Sequence, residues 1–128
     1  AIDNEQSMNN KYSGTDKDIH ARIFKHVTSG LIFLRSIPKN SETLSILDQI
    51  GRSLTSIGAN DQEADAALTR KDFIAKYVIV IKETQETVYW WKILKELGYG
   101  DEKLDQLIDE GKEIFKVISV IIKNTKIH

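Results

Sequence analysis

The histidines are the residues of this chain best suited to bind a metal or move a proton near neutral pH. His20 and His26 stand six positions apart, about 120° from a shared helical face, so they do not match the i, i+4 pairing of a helical zinc site. No glutamate is followed three residues later by a histidine, the spacing that a di-iron helical bundle requires. His20 falls on an apolar helical face, and we expect it to be a hydrogen-bonded core or helix-end residue rather than a ligand.

Other catalytic signatures are also missing from the sequence. The chain has no cysteine, which excludes a cysteine nucleophile, a thiolate zinc site, an iron–sulfur cluster and a disulfide framework. Gly111-Lys112 lacks the upstream glycine of a phosphate-binding loop, and no Ser/His/Asp set can be argued from spacing. We therefore expect no enzyme activity, no cofactor and no bound metal.

Basic side chains are the remaining candidates for binding chemistry. The chain has 18 Lys+Arg against 19 Asp+Glu, but the charge differs between segments. Residues 16–40 contain five basic and two acidic residues, a net charge of +3. Residues 70–97 contain six basic and four acidic residues, a net charge of +2, whereas residues 41–69 contain one basic and five acidic residues, a net charge of −4. Repeated in an oligomer, such patches can hold phosphates multivalently. The candidates for nucleic-acid binding are Arg22, Lys25, Arg70, Lys71 and Lys76.

The pattern of these cations also indicates a mode of recognition. No basic stripe is interleaved with aromatic residues to support base stacking, so we expect recognition of shape or backbone rather than readout of the base sequence. The opposite interpretation, ordinary solvated Lys and Arg side chains, remains open for each candidate.

Four amphipathic segments must position these side chains. The first predicted helix covers about residues 18–36, and the second covers about 41–60, with Asn40 or Ser41 as its N-cap. The third follows the capping residues Thr69 to Asp72 and ends before Gly98, and the fourth runs from residue 101 nearly to the C-terminus.

Each predicted helix has an apolar stripe that we expect to face the core. The members are His20, Ile23, Phe24, Val27, Leu31 and Leu34 in the first helix; Leu47, Ile50, Leu54 and Ile57 in the second; Phe73, Tyr77, Val80, Thr84, Thr87, Trp91 and Leu94 in the third; and Leu104, Ile108, Gly111, Phe115, Ile118 and Ile122 in the fourth. Short connections between them predict an all-α fold, an antiparallel up-and-down four-helix bundle.

The bundle domain is expected to cover residues 16–128, after a flexible polar arm over residues 1–15. Met8 is a candidate natural start, which would make residues 1–7 a cloning remnant. The sequence has no apolar stretch of membrane-spanning length and no signal-peptide layout at its start, so we expect a cytoplasmic protein.

Several apolar side chains fall outside these stripes. The third helix turns Ala75, Ile79, Trp90 and Ile93 away from its core face, mixed with Glu83 and Glu86; the first does so with Ile32 and Phe33, and the fourth with Val117 and Val120. This surplus favours a homo-oligomer over a monomer with a slightly apolar surface.

The second helix has an outward stripe of small and polar residues, which are Arg52, Ser56, Ala59, Asn60 and Glu63. The register of an antiparallel pair brings Arg52 level with Glu83, so Arg52 can pair with Glu83 or Glu86 within a subunit or across an interface. The alternative is a solvated polar face, in which each ion pair contributes about 0 to 1 kcal/mol.

Three runs resemble one known family. The segment Ile50–Ala64 contains I-x-R-S-x-x-S-I-x-A-N-x-x-E-A, Lys71–Lys76 contains K-x-F-x-x-K, and Ile81–Trp91 contains K-E-x-x-E-x-x-Y-W-W. This set is similar to the four-helix-bundle proteins encoded in intervening sequences of bacterial 23S rRNA genes. The likeness covers about residues 19–126. It departs from the family after the Asn-x-x-Glu motif, where a usually Gly-rich segment reads Ala64-Asp65-Ala66-Ala67.

The resemblance implies a left-handed bundle that assembles into a ring, usually a homopentamer, without known enzymatic activity. A related branch is the accessory variability determinant of diversity-generating retroelements, whose basic rings bind the reverse transcriptase and its RNA. Nucleic-acid binding is thus one expectation, although this chain is not basic overall. A structural or protein-docking ring, engaging a partner through the second helix, is the other.

Overall fold

The computed structural model of the chain describes residues 18–127 and, within them, four helices and no strand. The helices are α1, Ile19–Leu34; α2, Thr43–Asp65; α3, Arg70–Glu96; and α4, Glu102–Ile127. This confirms the all-α prediction. None of these four helices combines the length and the apolar character that crossing a bilayer requires. The predicted polar arm over residues 1–15, with the proposed cloning remnant at residues 1–7, lies outside the described residues.

The four helices pack as an antiparallel bundle. Each packs on its neighbours in sequence, and α1 also packs on α4, so that α1 and α3 occupy opposite corners. The start of α1 meets the end of α2, where His20 Nδ1 lies 2.9 Å from Asp61 Oδ1. The end of α3 meets the start of α4, where Lys95 Nζ lies 2.7 Å from Asp105 Oδ1. Neighbouring helices therefore run in opposite directions, as short connections require.

Side chains accept hydrogen bonds from backbone N–H groups at the starts of two helices. The Asn40 side chain accepts hydrogen bonds from the backbone N–H groups of Glu42 and Thr43, both at 2.9 Å. Thr69 Oγ1 accepts the backbone N–H of Asp72 at 3.0 Å. These bonds satisfy N–H groups that have no partner within the helix. Thr69 was predicted as a capping residue from the sequence, and Asn40 was one of the two candidates at the start of α2.

A glycine ends α3. Gly98 has a φ of 90°, a conformation that a residue with a Cβ rarely adopts. Its N–H donates to the Lys95 carbonyl, and the Tyr99 N–H donates to the Leu94 carbonyl, both at 3.0 Å. This pair of bonds is a Schellman motif, which closes the helix and turns the chain toward α4.

Two buried apolar clusters fill the bundle, one toward each end. Tyr77 is the largest side chain of one cluster and Trp91 of the other, and both are fully buried. The core stripes predicted for α2 and α3 are confirmed in full, since every member is buried: Leu47, Ile50, Leu54, Ile57, Phe73, Tyr77, Val80, Thr84, Thr87, Trp91 and Leu94.

A layer of polar residues lies near the middle of the bundle. It consists of His26 on α1, Ser53 on α2, and Thr84 and Thr87 on α3, all at most 3% exposed. The Thr87 hydroxyl donates to Ser53 Oγ at 2.7 Å, which links α3 to α2. On α4, Gly111 lies beside this layer: a Cβ built there would be in ordinary van der Waals contact with the His26 ring, 3.7 Å from Nε2.

The predicted core face of α1 is wrong at two positions. Phe24 is 70% exposed, whereas Phe33, predicted to point outward, is 5% exposed and meets the Trp91 ring edge-on with centroids 5.7 Å apart. The buried positions alternate in steps of four and three: Ile19, Ile23, His26, Gly30, Phe33 and Ile37. This buried set includes His26 and Gly30, which have low hydropathy. A prediction from hydropathy alone therefore favoured the adjacent face, which contains Phe24.

The face of α4 also differs from the prediction. Val117, predicted to point outward, is buried at 8% exposure, and Phe115, predicted in the core, is only half-buried. The reason is that α4 packs on both α3 and α1 and buries a broader face than one stripe. The outward positions of Ile32 and Val120 are confirmed, at 50% and 48% exposure.

Candidate nucleic-acid interface

Two of the five cations predicted to bind nucleic acid are engaged by carboxylates of the same chain. Arg22 on α1 makes a bidentate pair with Glu110 on α4, with Nη2–Oε1 at 2.7 Å and Nε–Oε2 at 3.1 Å. Lys76 Nζ on α3 lies 2.9 Å from Glu63 Oε1 on α2, and this hydrogen bond and charge raise the pKa of Lys76. Both cations join neighbouring helices, which reduces what they can offer to a phosphate.

The other three predicted cations do not form one patch. Lys25 is exposed on α1, and Arg70 and Lys71 are exposed in the first turn of α3. Since α1 and α3 occupy opposite corners of the bundle, Lys25 lies on a different side of the molecule from the other two. The sequence showed that these residues lie in segments of net positive charge, but it did not show that the fold places the segments on different sides of the bundle.

A groove between α3 and α4 brings together a different set of cations. It has a volume of about 490 Å³ and is lined by Gln85, Val88, Tyr89, Lys92, Lys112, Phe115 and Lys116. No carboxylate is among these lining residues. Among the described residues neither Lys92 nor Lys112 forms an ion pair, and Lys116 has only a 3.5 Å contact with Glu113 on the exposed surface.

This groove places two aromatic side chains beside its lysines, an arrangement that the pattern along the sequence did not predict. Tyr89 is 56% exposed, and Phe115 forms the facing wall. The signal was present in the sequence as two short spacings, Tyr89 to Lys92 and Lys112 to Phe115, each i, i+3 and so on one helical face. It was missed because the two halves are on different helices and combine only when α3 packs against α4.

A second groove, of about 570 Å³, lies between α1 and α4. Its lining residues are Arg22, Lys25, His26, Ser29, Lys103, Gln106, Leu107 and Glu110. Glu110 binds Arg22 and so neutralises part of this surface. Burial lowers the pKa of His26 to about 4, against the opposing charge of Glu110. His26 is therefore neutral at physiological pH and adds no charge to the groove.

A buried carboxylate organises the end of the bundle where α1 begins. Asp61 on α2 is 1% exposed, and it accepts hydrogen bonds from the Tyr77 hydroxyl at 2.8 Å and from His20 Nδ1 at 2.9 Å. Burial disfavours the His20 cation, but the hydrogen bond and charge of Asp61, with the charge of Asp65 beyond, raise the pKa of His20. His20 is thus a hydrogen-bonded helix-end residue, as predicted. Across residues 18–127, no three His, Asp or Glu side chains are grouped to hold a metal ion.

The predicted pairing of Arg52 with Glu83 or Glu86 is wrong within the chain. Arg52 Nε instead lies 2.9 Å from Asp48 Oδ2, one turn earlier on the same helix, and both side chains are exposed. A partner four residues away on one helix needs no interhelical reach, and this local contact takes the place of the predicted one.

The rest of the α2 stripe faces α3 rather than solvent alone. The Asn60 side chain donates to the Ser56 carbonyl at 2.9 Å, and Ser56 hydrogen-bonds to Glu83. Burial and the neighbouring charge of Glu86 raise the pKa of Glu83, while Ser56 opposes that rise. These polar residues therefore connect two helices of one chain.

The predicted interface residues of α3 are only partly exposed. The Trp90 ring is half-buried, and its Nε1 lies 3.4 Å from Glu86 Oε2. Ile79 is 38% exposed.

Residues 19–120 match the family model of the 23S rRNA-intervening sequence proteins. That match spans most of the chain and all four helices. The chain belongs to this family.

A solved relative has the same architecture as this intervening-sequence family member. It is a protein of unknown function from the S23 ribosomal protein family of Bacteroides thetaiotaomicron, 31% identical, with a TM-score of 0.74. The likeness covers 82% of this chain and 95% of that one. No curated protein matches the chain. Family membership therefore establishes the helical fold, and the function must be argued from the surface.

The structure explains what the family-like segment Ile50–Ala64 does in this intervening-sequence protein. Its polar members meet α3 at three levels: Ser53 at Thr87, Ser56 at Glu83 and Glu63 at Lys76. The segment is thus the α2 side of the α2–α3 contact.

Proposed function

We propose that this protein binds RNA without catalysing a reaction and that it holds the phosphate backbone at the groove between α3 and α4. The observation that carries the proposal is the grouping of Lys92, Lys112 and Lys116 along one groove that no carboxylate lines. Lysine ammonium groups bind phosphates as point charges, and counterion release from the backbone supplies most of such affinity.

The local electrostatics support this assignment. Lys116 is 72% exposed and its partner Glu113 is 54% exposed, with 3.5 Å between Nζ and Oε1. An ion pair between two exposed side chains contributes little to the free energy of folding. A phosphate can therefore replace the Glu113 carboxylate at small cost. By contrast, the cations of the α1–α4 groove include Arg22, which is held by two short bonds to Glu110.

Assembly of several copies would strengthen the binding. Three lysines contact few phosphates, and one groove by itself binds weakly at physiological salt. In a ring of identical subunits the same groove repeats. Once one groove holds an RNA molecule, the effective concentration of that RNA at the other grooves is high, so several weak contacts together give tighter binding.

The competing function, a docking surface for a protein on the α2 stripe, has less support. Ser56, Asn60 and Glu63 already bond to groups of their own chain, so a partner would have to replace those contacts.

A salt series with two charge-matched triple variants tests the proposal. Binding of fluorescein-labelled RNA is followed by anisotropy between 50 and 200 mM salt. Neutralising Lys92, Lys112 and Lys116 to Gln should weaken binding and reduce the slope of log affinity against log salt by about 2, since each phosphate contact contributes about 0.7 on a single strand.

The matched control neutralises Lys25, Arg70 and Lys71 to Gln, which removes the same charge from dispersed positions. We expect it to retain most of the salt slope. Equal losses from both triple variants would show an effect of overall charge and refute the groove, and absence of wild-type binding at 50 mM salt would refute the function itself.

A further inference from the structure

We infer that the α3–α4 groove takes unpaired bases of single-stranded RNA, stacked on Tyr89 and Phe115, in preference to a duplex. This inference rests on the proposed function, because the lysines of the same groove hold the backbone. What points beyond the backbone is the apolar part of the groove, which phosphate binding does not need.

The two aromatic side chains are placed where a base could reach them. Tyr89 is 56% exposed although it follows the buried Val88. Phe115 on α4 is only half-buried, and it lines the groove from the α4 side. Both rings therefore give the groove aromatic surface that the core does not use.

Each ring stands one helical turn from a lysine. Lys92 follows Tyr89 by three residues on α3, and Lys112 precedes Phe115 by three on α4, so ring and ammonium share a face in each case. A nucleotide presents the same two features, a flat ring and a phosphate, at neighbouring positions along the chain. The groove volume of about 490 Å³ is within the range of roughly 300–1,000 Å³ in which ligand-sized groups bind.

The Tyr89 ring is also held in place before any ligand arrives. It meets the Trp90 ring edge-on, with centroids 5.1 Å apart and planes at 71°. Because the Trp90 ring is itself half-buried and contacts Glu86, Tyr89 has a fixed neighbour on one side. A ring that is already ordered loses less freedom when a base stacks on it.

Single strands are favoured over duplexes by this arrangement. In an A-form duplex the base faces are covered by their neighbours and unavailable for stacking on protein side chains. Unpaired bases expose those faces, and stacking on aromatic residues is tolerant of sequence. An acidic peptide could satisfy the lysines but would leave the ring faces without a flat partner.

Substitutions that remove the aromatic ring but keep an apolar side chain test the inference. The variants are Tyr89→Leu and Phe115→Leu, with Phe24→Leu as a control for an exposed aromatic residue on α1. The probes are a labelled 12-nucleotide single-stranded RNA, the same strand in a 12-base-pair duplex, and a mononucleotide. Circular dichroism and thermal melting establish that each variant is folded.

We expect the wild type to bind the single strand more tightly than the duplex. Tyr89→Leu and Phe115→Leu should each weaken single-strand binding about tenfold and leave duplex binding unchanged, while Phe24→Leu changes neither. If Phe115→Leu fails to fold, Tyr89→Leu still decides the question, because its side chain is exposed.

The outcomes separate this inference from the proposed function. Base stacking would be overturned if the wild type bound both RNA forms equally and Tyr89→Leu had no effect. If the lysine triple variant still lost binding in that case, the proposed binding of the phosphate backbone would remain supported. Binding of neither form would overturn both. A mononucleotide bound as tightly as the strand would overturn the assignment to a strand.

Discussion

The pKa values of two histidines in this bundle are shifted in opposite directions because their surroundings differ. His20 lies beside the buried carboxylate of Asp61, which raises its pKa against the cost of burial. His26 is buried at mid-bundle, where desolvation lowers its pKa. Its ring nitrogens have no hydrogen-bond partner among the described residues. The surroundings therefore favour the charged form of one histidine and the neutral form of the other.

Acidification should destabilise the fold through His26. Its pKa is about 4 in the native state against 6.5 unfolded, so the unfolded chain binds this proton first as the pH falls. The free energy of unfolding should lose about 3 kcal/mol from this group between pH 6.5 and 4. Urea unfolding at fixed protein concentration measures it, and His26→Gln, which cannot titrate, should have a shallower pH dependence. Identical dependence in both proteins would contradict the prediction.

Asp61 should stabilise the fold more at pH 6 than at pH 9. Because the folded pKa of His20 is raised above 6.5, the stabilisation that Asp61 gives to the protonated His20 is present at pH 6. Its contribution is lost as the pH rises through the folded pKa. Asp61→Asn should cost about 1.5 to 3 kcal/mol at pH 6 and less at pH 9. Tyr77→Phe, which removes only the neutral donor, provides the comparison, and a cost for Asp61→Asn that does not change with pH would be evidence against the charged pair.

At the scale of the helix, most of the periodic pattern could be read from the sequence. The stripes of α2 and α3, the caps Asn40 and Thr69, and the glycine stop at Gly98 depend on local spacing and backbone chemistry. The faces of α1 and α4 could not be predicted as well. Their buried sets include His26 and Gly111, residues that pack only because a complementary surface of another helix faces them.

Gly111 should be intolerant of a methyl group, unlike an ordinary helical glycine. A Cβ there would lie 2.6 Å from Val88 Cγ2, and valine has little rotamer freedom in a helix to move away. Gly111→Ala should therefore destabilise the protein by about 1 to 3 kcal/mol. Thermal or urea unfolding provides the measurement.

Gly51 is the matched control, since a Cβ built there meets nothing within 4 Å. Gly51→Ala should stabilise α2 by about 0.5 to 1 kcal/mol, the usual gain in helix propensity. Stabilisation by both substitutions would show that α3 and α4 separate easily and would argue against close packing at Gly111.

At the scale of the whole molecule, apolar side chains remain exposed after the core is complete. Ile32 on α1, Ile79 on α3 and Val120 on α4 are 38% exposed or more. Exposed groups of this kind mark surfaces that bind another protein or another copy. Homo-oligomer formation is thus a prediction that follows from the surface, as it did from the sequence.

Light scattering tests oligomer formation directly. We expect the wild type to have a mass that is a multiple of the 14.6 kDa chain. Ile32→Asp combined with Val120→Asp should shift it toward the monomer, because burying a carboxylate at an apolar contact is costly. Leu68→Asp, at a 91% exposed position in the α2–α3 connection, should retain the wild-type mass. A monomeric wild type would refute the prediction.

The helices, their capping regions and the antiparallel order could be predicted from the sequence, because these follow from local periodicity, backbone conformation and short connections. The family was indicated by the resemblance of three motif segments. Which cations lie close together depends instead on how the helices pack. Helix packing binds Arg22 to Glu110 and Lys76 to Glu63, and it brings Lys92 beside Lys112 and Lys116. Those pairings join residues 13 to 88 positions apart along the chain. Their proximity depends on how helices are rotated against each other, which local spacing along the sequence does not encode.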